Sequence, residues 1–103
     1  MLFHIVRNSS IEKLNLSWNS IRREGALGMF KSLHKNVTLV HLDISYNGLA
    51  YNGALAVSNM LKKNTTLTYL DISGNNMAWQ AALLLTPGIR ANRTLKVLKV
   101  RGF

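Results

Sequence analysis

Leu39-Val40-His41-Leu42-Asp43-Ile44-Ser45-Tyr46-Asn47-Gly48-Leu49 decides the fold, because the same pattern returns at a fixed distance on either side of it. Its apolar positions Leu39, Leu42 and Ile44 have counterparts 28 residues earlier in Ile11, Leu14 and Leu16, and 28 residues later in Leu67, Leu70 and Ile72. A further step of 28 reaches Leu95, Leu98 and Val100, while Asn47 is matched by Asn19 and Asn75. The second half of the unit keeps the same step in Gly25, Gly53 and Ala81, in Leu33, Leu61 and Ile89, in Asn36, Asn64 and Asn92, and in Thr38, Thr66 and Thr94. A fixed period of about 20–50 residues is the signature of a repeat array and takes precedence over any other reading. The chain divides into three full units, 11–38, 39–66 and 67–94, with partial units at 1–10 and 95–103.

Each unit carries two kinds of periodicity. Around its second leucine the residues alternate, so that Leu14 and Leu16 face one way and Lys13 and Asn15 the other, as in a short strand. The stretch that follows has helical spacing, with Ala26, Met29, Phe30 and Leu33 in one unit and Ala54, Val57 and Leu61 in the next. A helix after each strand returns the chain and makes the strands parallel. The expected helices are Glu24–Lys35, Asn52–Lys63 and Gln80–Ala91. Pro87 removes an amide donor and Gly88 loosens the turn, so the third helix is expected to kink or end early. Asn19, Asn47 and Asn75 stand where the strand turns away, a place for a side-chain amide to bond backbone groups.

A unit of the form Leu-x-x-Leu-x-Leu-x-x-Asn-x-Leu followed by a Gly-Ala-opened helical stretch resembles a leucine-rich repeat. The uniform 28-residue length and the Gly-Ala start are similar to those of the ribonuclease-inhibitor-like subclass. The resemblance covers essentially the whole chain and rests on four aligned copies of the strand motif. It implies an α/β solenoid, a horseshoe segment with parallel strands on the concave face and helices on the convex face. It further implies an intracellular, non-enzymatic module that binds other proteins. Solenoids need atypical polar caps, and neither end of this chain has one; Phe103 stands where the next Asn would fall. The expectation is a segment of a longer array, or end-to-end self-association through the uncapped repeats.

Composition narrows the function classes. The chain has 103 residues, enough for one domain, and no Cys, which excludes a disulfide framework and thiolate metal sites. Its longest apolar run, Ala81 to Leu85, is far short of the ~20 residues of a membrane span. The start, Met1 to Arg7, lacks the features of a signal peptide, so an intracellular, cytoplasmic location is expected. The acceptor tripeptides at Asn8, Asn15, Asn36, Asn64 and Asn92 are discounted on the same ground, four of them being repeats of one turn. No His/Asp/Glu grouping has metal-ligand spacing and no Gly-rich loop could cradle a phosphate, so neither a cofactor nor a metal is expected.

Charge raises a second class of partner. Lys and Arg number 13 against 4 acidic residues, a net charge of +9. Arg7, Arg22, Arg23, Lys31, Lys35, Lys62, Lys63, Arg90 and Arg93 fall in or beside the helical halves. A solvated outer face accounts for most of them, with nucleic acid or an anionic surface as the alternative partner. Aromatic residues are not interleaved with these cations as base stacking requires.

The outward strand positions are the more informative. Stacking the units gives a column Lys13, His41, Tyr69 and Val97, and beside it Asn15, Asp43, Asp71 and Lys99. Next come Ser17, Ser45, Ser73 and Arg101, then Trp18, Tyr46, Gly74 and Gly102. Trp18, Tyr46 and Tyr69 are residue types enriched in binding hot spots. Asp43 and Asp71 become lateral neighbours about 4.8 Å apart that repel, with Lys99 available to Asp71. The candidate partner-binding residues are therefore Trp18, His41, Asp43, Tyr46, Tyr69, Asp71 and Lys99. His41, Asp43 and Ser45 supply the residue types of a hydrolase triad, but an open sheet offers neither a nucleophile elbow nor an oxyanion hole, so no catalytic residue is assigned.

Overall fold

The 28-residue step of the sequence becomes the register of a parallel sheet. The computed structural model describes residues 11–102. The partial unit 1–10, with His4 and Arg7, and Phe103 lie outside the described residues, as do the side chains of Arg22, Arg23 and Glu24. Four strands, β1 (Lys13–Asn15), β2 (His41–Asp43), β3 (Tyr69–Asp71) and β4 (Val97–Lys99), alternate with the helices α1 (Arg22–Leu33), α2 (Ala50–Lys63) and α3 (Trp79–Ala91). The strands lie in the order β1-β2-β3-β4. Lys13 pairs with His41, His41 with Tyr69 and Tyr69 with Val97, each partner one repeat away. The result is a two-layer α/β solenoid segment with the sheet on one side and the helices on the other.

Alternation in the strands sends Leu42, Ile44, Leu70 and Ile72 into the core, where all four are buried. They meet the helical stripe of Ala26, Met29, Phe30 and Leu33 and its equivalent Ala54, Val57 and Leu61. Burial of this continuous leucine-rich layer is the main driving force for folding.

Two asparagine ladders fix the turns at either end of each unit. At the strand exit, Asn75 Nδ2 donates to the carbonyls of Ile44, Ile72 and Ser73 at 2.8–3.2 Å. Its Oδ1 accepts the backbone N–H groups of Asn47 (2.8 Å) and Leu49 (3.3 Å). Asn47 does the same one repeat earlier, bonding the carbonyls of Leu16, Ile44 and Ser45 and the amides of Asn19 and Ile21. At the helix exit, Asn64 Nδ2 reaches back to Leu33 O (2.7 Å) while its Oδ1 accepts from Thr66 and Leu67. Asn92 repeats this with Leu61, Thr94 and Leu95. The recurrent Asn-x-Thr tripeptides are thus turn chemistry.

The helix limits differ from those expected. α1 spans Arg22–Leu33 rather than Glu24–Lys35, and α2 and α3 begin at Ala50 and Trp79 rather than Asn52 and Gln80. None has a side-chain N-cap to mark its start. The start of α2 is set across the repeat instead, by the Ala50 N–H donating to Asn75 O at 2.8 Å. α1 ends early because the His34 and Lys35 N–H groups turn to the carbonyls three residues back, those of Lys31 and Ser32.

Pro87 does not end α3, which runs through it to Ala91. Leu83 and Pro87 both lie on the exposed side, where the carbonyl left without a donor meets water. On the buried side Gly88 N–H donates to Ser58 Oγ at 2.9 Å. A Cβ at Gly88 would fall within 2.6 Å of Ser58 Cα, so glycine permits a close approach of α2 and α3 that holds the turn in place.

Replacing Asn75 by Ala leaves buried donors and acceptors of two repeats unpaired and is expected to cost about 3 kcal/mol in urea unfolding. Asn19→Ala, at an exposed end of the same ladder, should cost about 1 kcal/mol or less.

His34, just past α1, has its imidazole held below the ordinary value by burial first, then by the cations of Lys63 and Lys31. The folded state therefore binds this proton less readily than the unfolded chain. Above the unfolded histidine range both states are neutral; as pH falls through that range and then through the depressed folded value, stability is lost. The urea midpoint should drop as pH falls below the ordinary histidine range, and His34→Gln should flatten that slope.

Candidate functional site

Five of the seven candidate residues, His41, Asp43, Tyr69, Asp71 and Lys99, stand at strand positions of the sheet, while Trp18 and Tyr46 lie in the turns that follow β1 and β2. His41 and Tyr69, paired in neighbouring strands, stack with ring centroids 3.8 Å apart and planes 8° apart. Lys99 Nζ lies over the Tyr69 ring, 5.5 Å from its centroid, in cation–π geometry. Among the described residues Lys99 makes no ion pair with Asp71, the contact expected from its column.

Asp43 and Asp71 occupy adjacent register positions, as the stacking of units places them. Each commits one oxygen to its own turn. Asp43 Oδ1 accepts the Ser45 N–H (3.0 Å) and hydroxyl (2.6 Å), and Asp71 Oδ1 accepts the Ser73 N–H (2.9 Å). Asn15 does likewise with Ser17. The carboxylates therefore stabilise turns as well as charging the face. The serines are not outward positions as the column reading had them, for Ser45 and Ser73 are buried by these bonds. Ser45 is a turn element whose hydroxyl is given to Asp43, while the His41 ring is engaged with Tyr69; the three do not form a nucleophile–base–acid relay.

The fourth column carries the feature that sequence reasoning missed. Trp18, Tyr46, Gly74 and Gly102 all have left-handed backbones, with φ of 61°, 57°, 65° and 60°. At three of the four the backbone is also tied across repeats: Trp18 N–H donates to Ser45 O, Tyr46 N–H to Ser73 O and Gly74 N–H to Arg101 O. Glycine takes such a φ freely, whereas an L side chain costs about 1–2 kcal/mol there. The signal available in the sequence was Gly74 and Gly102 in the same column as two large aromatic residues.

The strained residues stack on one another. Trp18 and Tyr46 have ring centroids 4.0 Å apart and planes within 2°. The Tyr46 ring in turn fills the space above Gly74 that any side chain there would need. Trp18 remains 72% exposed, so the stack ends in a free indole face. Two aromatic stacks thus flank the row containing Asp43 and Asp71, one along the column of His41 and Tyr69 and one along that of Trp18 and Tyr46. Such a face can grip an extended, cation-bearing segment by stacking and hydrogen bonding; among the described residues no His/Asp/Glu group could hold a metal ion.

A model of the leucine-rich repeat matches residues 7–30, 35–58 and 63–78 of the chain. No curated protein matches it by sequence. Among solved structures it is similar to the tropomodulin C-terminal domain of Caenorhabditis elegans, with a TM-score of 0.86 at 9% identity, over 98% of this chain and 62% of that one. At that identity the likeness is one of fold, and the chain spans less than two thirds of the length of the solved structure. The three matched segments make up more than half of the residues and coincide with the repeat that builds the sheet: the chain belongs to the leucine-rich repeat family.

Proposed function

We propose that the sheet face binds a protein partner, through Trp18, His41, Asp43, Tyr46, Tyr69, Asp71 and Lys99, without chemistry of its own. Leucine-rich repeat domains generally mediate protein–protein interaction, and no helix among the described residues is long and apolar enough to cross a membrane. The single observation that carries the reading is the left-handed backbone at Trp18 and Tyr46. Large aromatic residues sit at a left-handed position that glycine occupies in the next two units and would fill more easily, and they are residue types enriched in binding hot spots. The exposed indole supplies an anchor and the carboxylates select a basic segment. The uniform 28-residue unit and the Gly-Ala pairs Gly25-Ala26 and Gly53-Ala54 support membership of the ribonuclease-inhibitor-like subclass and division into the units 11–38, 39–66 and 67–94. Nucleic acid is a weaker fit, because in α2 and α3 the aromatic residues Tyr51 and Trp79 stand at the helix starts while Lys62, Lys63 and Arg90 stand at the ends.

The test is capture of protein partners from nuclease-treated lysate with the wild-type chain and with Trp18→Gly/Tyr46→Gly. Because glycine relieves the backbone, the variant should keep its stability within about 1 kcal/mol while losing the partners. Equal capture by both proteins would remove the sheet-face reading.

A second reading concerns the last described repeat. Ile89 aligns with Leu33 and Leu61, which are buried, yet is itself 42% exposed, and Val100 aligns with the buried Ile44 and Ile72 but lies open. Residues that are core in the two preceding repeats are here uncovered, which favours a further repeat or a second copy stacking on β4 and α3. Light scattering over a range of concentrations should show association that Ile89→Lys/Val100→Lys abolishes; a monomer at all concentrations would contradict self-association.

A further inference from the structure

The helix layer carries a second aligned surface. Leu27, Leu55 and Leu83 are related by the 28-residue step, as are Tyr51 and Trp79, and all five are exposed. Exposure at the end of the array does not explain them. α2 has a helix on each side, and still Tyr51 is 52% and Leu55 43% exposed, so these register positions point outward in every repeat. Tyr51 and Leu55, like Trp79 and Leu83, are four residues apart and share one helix face. An apolar row therefore crosses the layer near the helix starts. Beside it, toward the helix ends, lie Lys31, Lys35, Lys62, Lys63 and Arg90. The described acidic side chains, Glu12, Asp43 and Asp71, are all in or beside the strands, so among the described side chains of the helix layer, which include the neutral Asn59, Gln80 and Thr86, every charge is cationic.

We infer that this face docks on the surface of an anionic lipid bilayer. An apolar row edged by cations, with Trp and Tyr among the apolar groups, matches the layering of a membrane interface: acyl chains, then the zone where indole and phenol rings settle, then anionic headgroups. The row projects from successive helices as a ridge. A partner helix buries its apolar side in a groove, whereas lipid deforms around projecting side chains. A second copy seated on this face would bring its own Lys31, Lys62, Lys63 and Arg90 against the same cations. Docking through the helix layer leaves the sheet face pointing away from the bilayer, free for the protein partner proposed above, so the two inferences stand or fall separately.

The experiment uses the Trp18→Phe chain, in which Trp79 is the sole indole, with vesicles of phosphatidylcholine alone or mixed with phosphatidylserine. The chain should sediment with the mixed vesicles and not with phosphatidylcholine alone, with a blue shift of the Trp79 emission. Leu55→Gln/Leu83→Gln and Lys62→Glu/Lys63→Glu, all at exposed positions and checked for folding by circular dichroism, should each lower the partition about tenfold or more. Tyr46→Gly on the sheet face should leave it unchanged. Absence of sedimentation with the mixed vesicles would overturn the proposal. So would undiminished binding by Leu55→Gln/Leu83→Gln with no shift of Trp79, which is adsorption by charge alone. A Trp79 shift on adding a soluble acidic amphipathic peptide, with none on vesicles, would assign the face to a protein instead.

Discussion

A side-chain amide that bonds two repeats at once is the constraint on which the rest of the molecule depends. The backbone N–H of Asn19 donates to Asn47 Oδ1, and that of Asn47 donates to Asn75 Oδ1, so each turn is closed by the residue one unit ahead. The same amides hold carbonyls of their own and the preceding strand. Three-residue strands are too short to define a register by their ladder alone, and leucine burial is non-directional. The ladder supplies the direction: it stacks leucine on leucine and stops the units from slipping.

That stacking has a cost at one column. The N–H groups of Trp18, Tyr46 and Gly74 are tied to the following repeat, and the backbone there is left-handed whatever side chain is present. Glycine meets the demand in two units, and aromatic residues meet it in two others by stacking on each other and on the bare surface of Gly74. The same rigidity makes the surface a fixed template. The stacks of His41 on Tyr69 and of Trp18 on Tyr46 each join neighbouring repeats through rings 3.8 and 4.0 Å apart, so little ordering entropy remains to be lost when a partner binds.

Much of this is legible in the residues, because a repeat reports its three-dimensional neighbours through sequence position. The pairing of His41 with Tyr69 and of Asp43 with Asp71 follows from adding 28. What was not legible depends on geometry within a column. Ser45 and Ser73 alternate like exposed residues, yet their turns fold them under the neighbouring carboxylates. Pro87 looks like a helix breaker, but its lost donor faces water while Gly88 anchors the other side of the turn to Ser58. The helical stripe of Ala54, Val57 and Leu61 identifies the buried side of α2 and draws attention from Tyr51 and Leu55 opposite, although these align with Trp79 and Leu83 as faithfully as any core position.

If the asparagine ladder is what makes the array a single body, its amides must open only when the whole structure does. Native-state hydrogen exchange tests this directly, by comparing the amides of Asn47 and Leu49, which donate to the Asn75 side chain, with the amides of Ile44 and Ile72, which donate between strands. Equal opening free energies, matching that of global unfolding, are the expected result. Fast exchange of Asn47 and Leu49 while Ile44 and Ile72 remain protected would show the ladder to be a surface accessory, with the fold held by leucine burial alone.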